Sequence, residues 1–253
     1  MKYLMLHSVD PDTDAESAAR ATPEALDAWV QEMLARGIVL DGSRLQPVSD
    51  ATTVRAPGGR TVVTDGPFAE TKEQVAGYDV IDCPDLDSAV AVAAAHPTTH
   101  VGSIEVRRFL DGMPDPVVPD RPADGRMRYL MLVCADMRRA MERAQATPES
   151  GDAPPAQDPR PAEGERDVVD DWIDDLGDKR LYGWALELPH TAVTVRRVNG
   201  EVVTTDGPFA ETKEQIAGYD LLECADLDDA IKAAATHPVA GGGLIELRPL
   251  RAS

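Results

Sequence analysis

Aromatic side chains are scarce in this sequence: Phe, Tyr and Trp together supply 4% of it. Its cores must therefore rest on Val, Leu, Ile, Met and Ala. Basic residues are also short, 25 Lys and Arg against 45 Asp and Glu, for a formal net charge of −20. A surface of that sign repels phosphate backbones and anionic lipid headgroups, so neither nucleic-acid nor membrane partners are expected. Cysteine is limited to Cys83, Cys134 and Cys224, with no Cys-x-x-Cys, and an odd count reads as reduced thiols. No apolar run approaches the ~20 residues of a membrane span. The start MKYLMLHSVD lacks the basic and then apolar pattern of a secretory leader, so a cytoplasmic protein is expected. Gly-x-Gly-x-x-Gly, a Walker loop and Gly-x-Ser-x-Gly are all missing, which leaves no sign of a nucleotide cofactor or a serine hydrolase. No other cofactor is indicated.

What the sequence does contain is a phrase written twice. Residues 64–79 read TDGPFAETKEQVAGYD and residues 205–220 read TDGPFAETKEQIAGYD, differing only at Val75 against Ile216. The match runs on: MKYLML at 1–6 against MRYLML at 127–132, His96-Pro97 against His237-Pro238, and SIEVRRF at 103–109 against LIELRPL at 244–250. The chain is a tandem duplication, with copy one at 1–110, a Pro-, Asp- and Gly-rich linker at 111–126, and copy two at 127–253. Copy two also carries a proline-rich stretch at about 144–164, with Pro148, Pro154, Pro155, Pro159 and Pro161, which reads as a mobile loop.

Each copy predicts strand, helix, strand, a hairpin, strand, helix, strand. Thr22 and Pro23 start a helix as N-cap and first residue. Leu26, Trp29, Val30 and Met33 then recur at i, i+3, i+4, i+7, and copy two repeats the stripe as Val169, Trp172, Ile173 and Leu176. Asp85 caps a second helix that closes at His96-Pro97. Apart from the hairpin around Pro57-Gly58-Gly59, the order is βαββαβ, the ferredoxin-like split unit, an α+β fold with both helices on one sheet face. The other face needs a partner sheet, and the fused copy supplies one. The expectation is two such units packed sheet to sheet as a pseudo-dimeric α/β barrel, the copies associating within the chain, with a cavity between them and room for further homo-oligomerisation.

The phrase DGPFAETKE, a following Gly-Tyr strand and a closing Glu-Val-Arg strand resemble the DGPF branch of the YCII-related family, over both copies nearly end to end. The resemblance implies a dimeric α/β-barrel fold. It also implies a family of mostly unknown function, with lyases or isomerases of small cyclic or dicarbonyl compounds among wider relatives, and frequent proximity to extracytoplasmic-function sigma factors. The YCII pattern pairs a His in Pro-x-His-Leu on the first helix with an Asp in Asp-Pro before the last strand. Here Ala25 and Val168 occupy the His position, and His96-Pro97 and His237-Pro238 replace Asp-Pro. That dyad is absent.

Candidate chemistry falls in three sets. The motif offers Asp65, Phe68, Glu70, Lys72 and Glu73, with Asp206, Phe209, Glu211, Lys213 and Glu214 as their copies. They read either as a turn with a solvated charged segment or as the lining of the cavity. On the last strand, alternation puts Ile104 and Val106 on one face and Glu105 and Arg107 on the other, facing the cavity, as with Glu246 and Arg248. These are ligand contacts or structural ion pairs. As acid–base residues, His96, His237, Asp65 and Asp206 are the candidates, with Glu105 beside them. Asp65, Glu70, His96 and Glu105 are metal-ligand types without ligand spacing, so no metal is expected. Two functions remain: a small-molecule-binding or regulatory module, or a small-molecule lyase or isomerase.

Overall fold

Alternation along the first strand sets the layering. In β1 (Lys2–Val9), Tyr3 and Met5 join the core under the helices, while Leu4 and Leu6 join the core between the sheets. A computed structural model describes residues 1–69, 71–119, 122, 125–136 and 168–251. Glu70, part of the linker and the proline-rich stretch lie outside the described residues. The first half continues with α1 (Ala15–Ala18), α2 (Pro23–Ala35), β2 (Val39–Arg44), β3 (Thr52–Arg55), β4 (Val62–Asp65), β5 (Gln74–Asp82), α3 (Leu86–Ala95) and β6 (Gly102–Arg108). The second half holds β7 (Met127–Ala135), α4 (Val168–Leu176), β8 (Arg180–Ala185), β9 (Val193–Val198), β10 (Glu201–Asp206), β11 (Gln215–Cys224), α5 (Leu227–Thr236) and β12 (Leu244–Pro249).

Local chemistry explains the helix ends. Thr22 Oγ1 accepts from the Ala25 amide at 3.2 Å, with Pro23 next in line, and Trp29 and Met33 form the buried stripe of α2. Asp85 and Asp226 each accept an amide hydrogen bond at 2.8 Å, from Ser88 and Asp229 respectively, and start α3 and α5. Among the described residues no helix is long and apolar enough to cross a membrane.

The architecture is α+β: two six-stranded antiparallel sheets, packed face to face with the helices outside. The strand orders are β10-β9-β6-β1-β5-β2 and β4-β3-β12-β7-β11-β8. The hairpins are exchanged. β3–β4 of the first half extends the second half's sheet through β12, with Glu246 opposite Thr53. β9–β10 of the second half extends the first half's sheet through β6, with Glu105 opposite Thr194. Each half therefore completes the other's sheet. The hairpin is visible in the sequence, but its destination is not, because strand pairing over that distance leaves no local pattern.

The exchange dictates what the repeated phrase must do. β4 lies in one sheet and β5 in the other, so residues 66–69 and 71–73 lie between the sheets. Residues 207–214 make the mirror crossing from β10 to β11. Gly66 and Gly207 open the crossings at φ 96°, a left-handed conformation in which a side chain would be strained.

Candidate functional site

The two crossings and the two last strands enclose a cavity on the pseudo-two-fold axis. Its wall includes Pro67, Phe68, Thr71 and Gln74 from one crossing and Pro208, Phe209, Thr212 and Gln215 from the other. Glu105, Arg107, Glu246 and Arg248 stand between them. Ile104 and Val106 pack under the helices, so the alternation reading of this strand describes the structure. The free volume is about 30 Å³.

Both Glu–Arg pairs are sealed, with each of the four residues at most 2% exposed. Arg107 Nη2 is 2.5 Å from Glu105 Oε1, and Arg248 Nη1 is 3.3 Å from Glu246 Oε1. The remaining charge is met by backbone. Arg107 donates to the Ile216 carbonyl at 2.6 Å, and Arg248 to the Gln46 carbonyl at 3.0 Å. Phe68 N–H donates to Glu246 at 2.8 Å, and Phe209 N–H to Glu105 at 3.2 Å. Burial pushes the Glu246 carboxyl up against the pull of Arg248. The Nε–H groups of Arg107 and Arg248 have no partner among the described residues. A buried guanidinium N–H without an acceptor costs about 1–3 kcal/mol.

Other motif side chains fasten the halves together. Thr53 and Thr194 hydroxyls donate to the Gly66 and Gly207 carbonyls at 2.9 and 2.8 Å. Thr71 and Thr212 bond the carbonyls of Glu73 and Glu214. Glu73 pairs with Arg196 of the exchanged hairpin at 2.8 Å and bonds the Ser103 hydroxyl. Glu214 faces Arg55 at 3.5 Å. Lys72 reaches Asp10 at 2.8 Å. A further contact between halves is made by Asp41 of β2, which accepts from Tyr78 at 2.8 Å and from Tyr182 of the other half.

The histidines lie elsewhere, on the helix-covered face. His96 Nδ1 accepts from the Thr98 amide, and His237 Nδ1 from the Val239 amide, both at 3.1 Å. Each ring packs edge-on against a tryptophan, Trp29 at 4.3 Å and Trp172 at 4.6 Å between centroids. Burial drives His96 well below the usual imidazole range, with His7 adding to the effect, and drives His237 down to about 4. With Nδ1 accepting, the proton of the neutral ring sits on Nε2. Both histidines are thus structural caps of the turns after α3 and α5.

Sequence reasoning passed over one cluster. His7 of β1 places Nε2 at 3.0 Å from Asp79 Oδ2 of β5, and His96 Nε2 is 3.9 Å from the same oxygen. All three are buried and close enough to suggest a metal centre. His96 argues against one. A ligating imidazole donates through its other nitrogen, whereas Nδ1 here accepts an amide hydrogen. Two ligands would remain. The available signal was that His7, Met5 and Tyr3 share a face, but Asp79 inside GYDV gave no hint of burial.

Among the predicted residues, Phe68, Glu105, Arg107, Phe209, Glu246 and Arg248 converge on the cavity. Glu73 and Glu214 sit half-buried in ion pairs. Asp65, Lys72, Asp206, Glu211 and Lys213 are exposed, and Glu70 lies outside the described residues. The three cysteines are buried free thiols that burial raises, Cys224 to about 11, which suits packing rather than nucleophilic chemistry.

A family model described as "YCII-related domain" matches residues 1–111 and again 127–252. "Uncharacterized protein R00369" of Rhizobium meliloti (strain 1021) is 51% identical over 69 residues, covering 26% of this chain and 54% of that protein. The chain thus spans about half the length of that curated relative.

Proposed function

The chain belongs to the YCII-related family, and from that premise we propose that it is a cytoplasmic binding module for a small, uncharged polar molecule seated between its two sheets. The observation that carries the reading is the two buried Glu–Arg pairs that line one cavity, Arg107 and Arg248 each keeping an Nε–H without a hydrogen-bond partner among the described residues. Within each Glu–Arg pair the charges already balance, so the ligand needs acceptor oxygens rather than a charge. The net charge of −20 disfavours anions as well. A free volume of about 30 Å³ is the size of one or two waters, so any larger ligand requires the crossings to move apart.

The lyase or isomerase reading needs a free acid–base residue within reach of the cavity, and Glu105 in its wall is already held by Arg107 and the Phe209 amide. His96 and His237 cap turns under the helices, and Asp65 and Asp206 are exposed. The binding reading is therefore the one the geometry favours.

The test is side-chain NMR of ¹⁵N-labelled protein, with Arg107→Lys and Arg248→Lys used to assign the two Nε–H signals. Both should exchange slowly with water. Both should also move together when acetamide, hydroxyacetone or glycerol is titrated in. Rapid exchange, or signals indifferent to every probe of this class, would refute the proposal.

A further inference from the structure

The two halves solve one electrostatic problem differently. Asp79 and Asp220 are equivalent, each 5% exposed, and burial raises both carboxyls. Each needs a cation, since an unpaired buried carboxylate costs several kcal/mol. Asp220 has Arg180, with Nε at 2.7 Å. The position equivalent to Arg180 is Val39, which brings no charge. In the first half the nearest cationic partner among the described residues lies on the other side of the strand pair, His7, whose counterpart in the second half is Val133.

We infer that His7 and Asp79 form a proton-operated ion pair that makes the first half of the molecule, and not the second, sensitive to pH. Arg180 keeps its charge at any physiological pH, whereas an imidazole is the side chain that changes charge between about pH 5 and 8. His7 Nε2 lies 3.0 Å from Asp79 Oδ2 across the β1–β5 pairing, at ion-pair distance without hydrogen-bond alignment, so a protonated His7 gives Asp79 its counterion. With His7 neutral, Asp79 is a buried carboxylate without one.

The neighbours do not supply a substitute. On the turn after α3, His96 is held neutral by its burial and its accepted amide bond. On β2, Arg44 reaches toward Asp27 of α2 at 3.9 Å, and Asp41 is an anion that opposes ionisation of Asp79. On β6, Ile104 stands opposite His7 and Glu105 faces the cavity. Beyond the end of β1, Lys72 is engaged by Asp10. The indole Nε1–H of Trp29 is also unpartnered, whereas that of Trp172 donates to the Ala233 carbonyl at 3.0 Å. The same surroundings are thus less completely satisfied in the half that carries the histidine.

The molecule contains its own control, which gives a direct test on the full chain. Amide hydrogen exchange is measured between pH 5.5 and 8 for residues 77–82 and for their equivalents 218–223. The ratio of the two protections cancels the intrinsic pH dependence of exchange. The first-half protection should fall relative to the second by about tenfold as pH rises, the equivalent of one pH unit of coupling. Grafting the second half's solution, as His7→Val with Val39→Arg, should make the ratio independent of pH. His7→Gln, which keeps a polar side chain without the charge, should hold the ratio at the high-pH value throughout. A wild-type ratio that does not change with pH overturns the inference. So does a ring titration of His7 by NMR that leaves the Asp79 carboxyl shift unmoved.

Discussion

His237 allows a quantitative test of the structural role assigned to the His-Pro pairs. Its imidazole falls from 6.5 to about 4, through burial first and Arg180 second. The unfolded chain therefore binds this proton more readily than the folded one, so stability is complete above pH 6.5 and drains away as pH falls toward 4. By pH 4.5 this one group accounts for about 2–3 kcal/mol, at 1.36 kcal/mol per pH unit of difference. His237→Asn removes the titration yet keeps an oxygen to accept the Val239 amide. At pH 7.5 it should cost about 1–2 kcal/mol, mainly the edge-on contact with Trp172. The gap between wild type and variant should then close, and reverse in sign, by pH 4.5. Urea denaturation at fixed ionic strength and four pH values would measure it. A gap that stays constant across the series would show that His237 is not a buried neutral cap.

Two further outcomes follow from the cavity and the exchanged hairpins. Arg248→Met strands Glu246 and should cost about 3–5 kcal/mol, whereas adding Glu246→Leu should recover much of that in a denaturation cycle; additive costs would mean the two are not coupled. Cutting the linker near Pro119 should give halves that self-associate, because each hairpin loses the strand it extends; light scattering showing two folded monomers would refute this.

How far the sequence could be read depends on the range of the interaction. Caps and stripes are local, so Thr22, Asp85 and the Trp29–Met33 face announced their helices. Period-2 alternation placed Glu105 and Arg107 on the cavity side without any knowledge of the partner sheet. The exchange of β3–β4 and β9–β10 had no such signal, because Thr53 meets Glu246 across nearly 200 residues of sequence. The histidines were misleading for a different reason. A His-Pro at a helix end reads equally as a base or a cap, and only the direction of the Nδ1 hydrogen bond distinguishes them. His7 has Val133 as its counterpart in the second copy, and sequence alone does not show that it faces the buried Asp79.

The near-identity of the two motif segments can now be given a mechanical cause. Each must leave one sheet, turn at a glycine with positive φ, and present an amide to a buried glutamate of the opposite half. It must then place a second glutamate against the other half's arginine before joining the other sheet. Few sequences meet all of these demands in eight residues, and both crossings must meet them around one shared cavity. By contrast, Asp79 and Asp220 need only a nearby cation, which can come from any adjoining strand, so the two halves were free to answer with different residues. The pseudo-symmetry is therefore kept in the two crossings and broken at Asp79 and Asp220, and again where Asp41 meets Tyr182 between the sheets. Duplication within one chain is what permits the break, since a homodimer would carry either both histidines or both arginines.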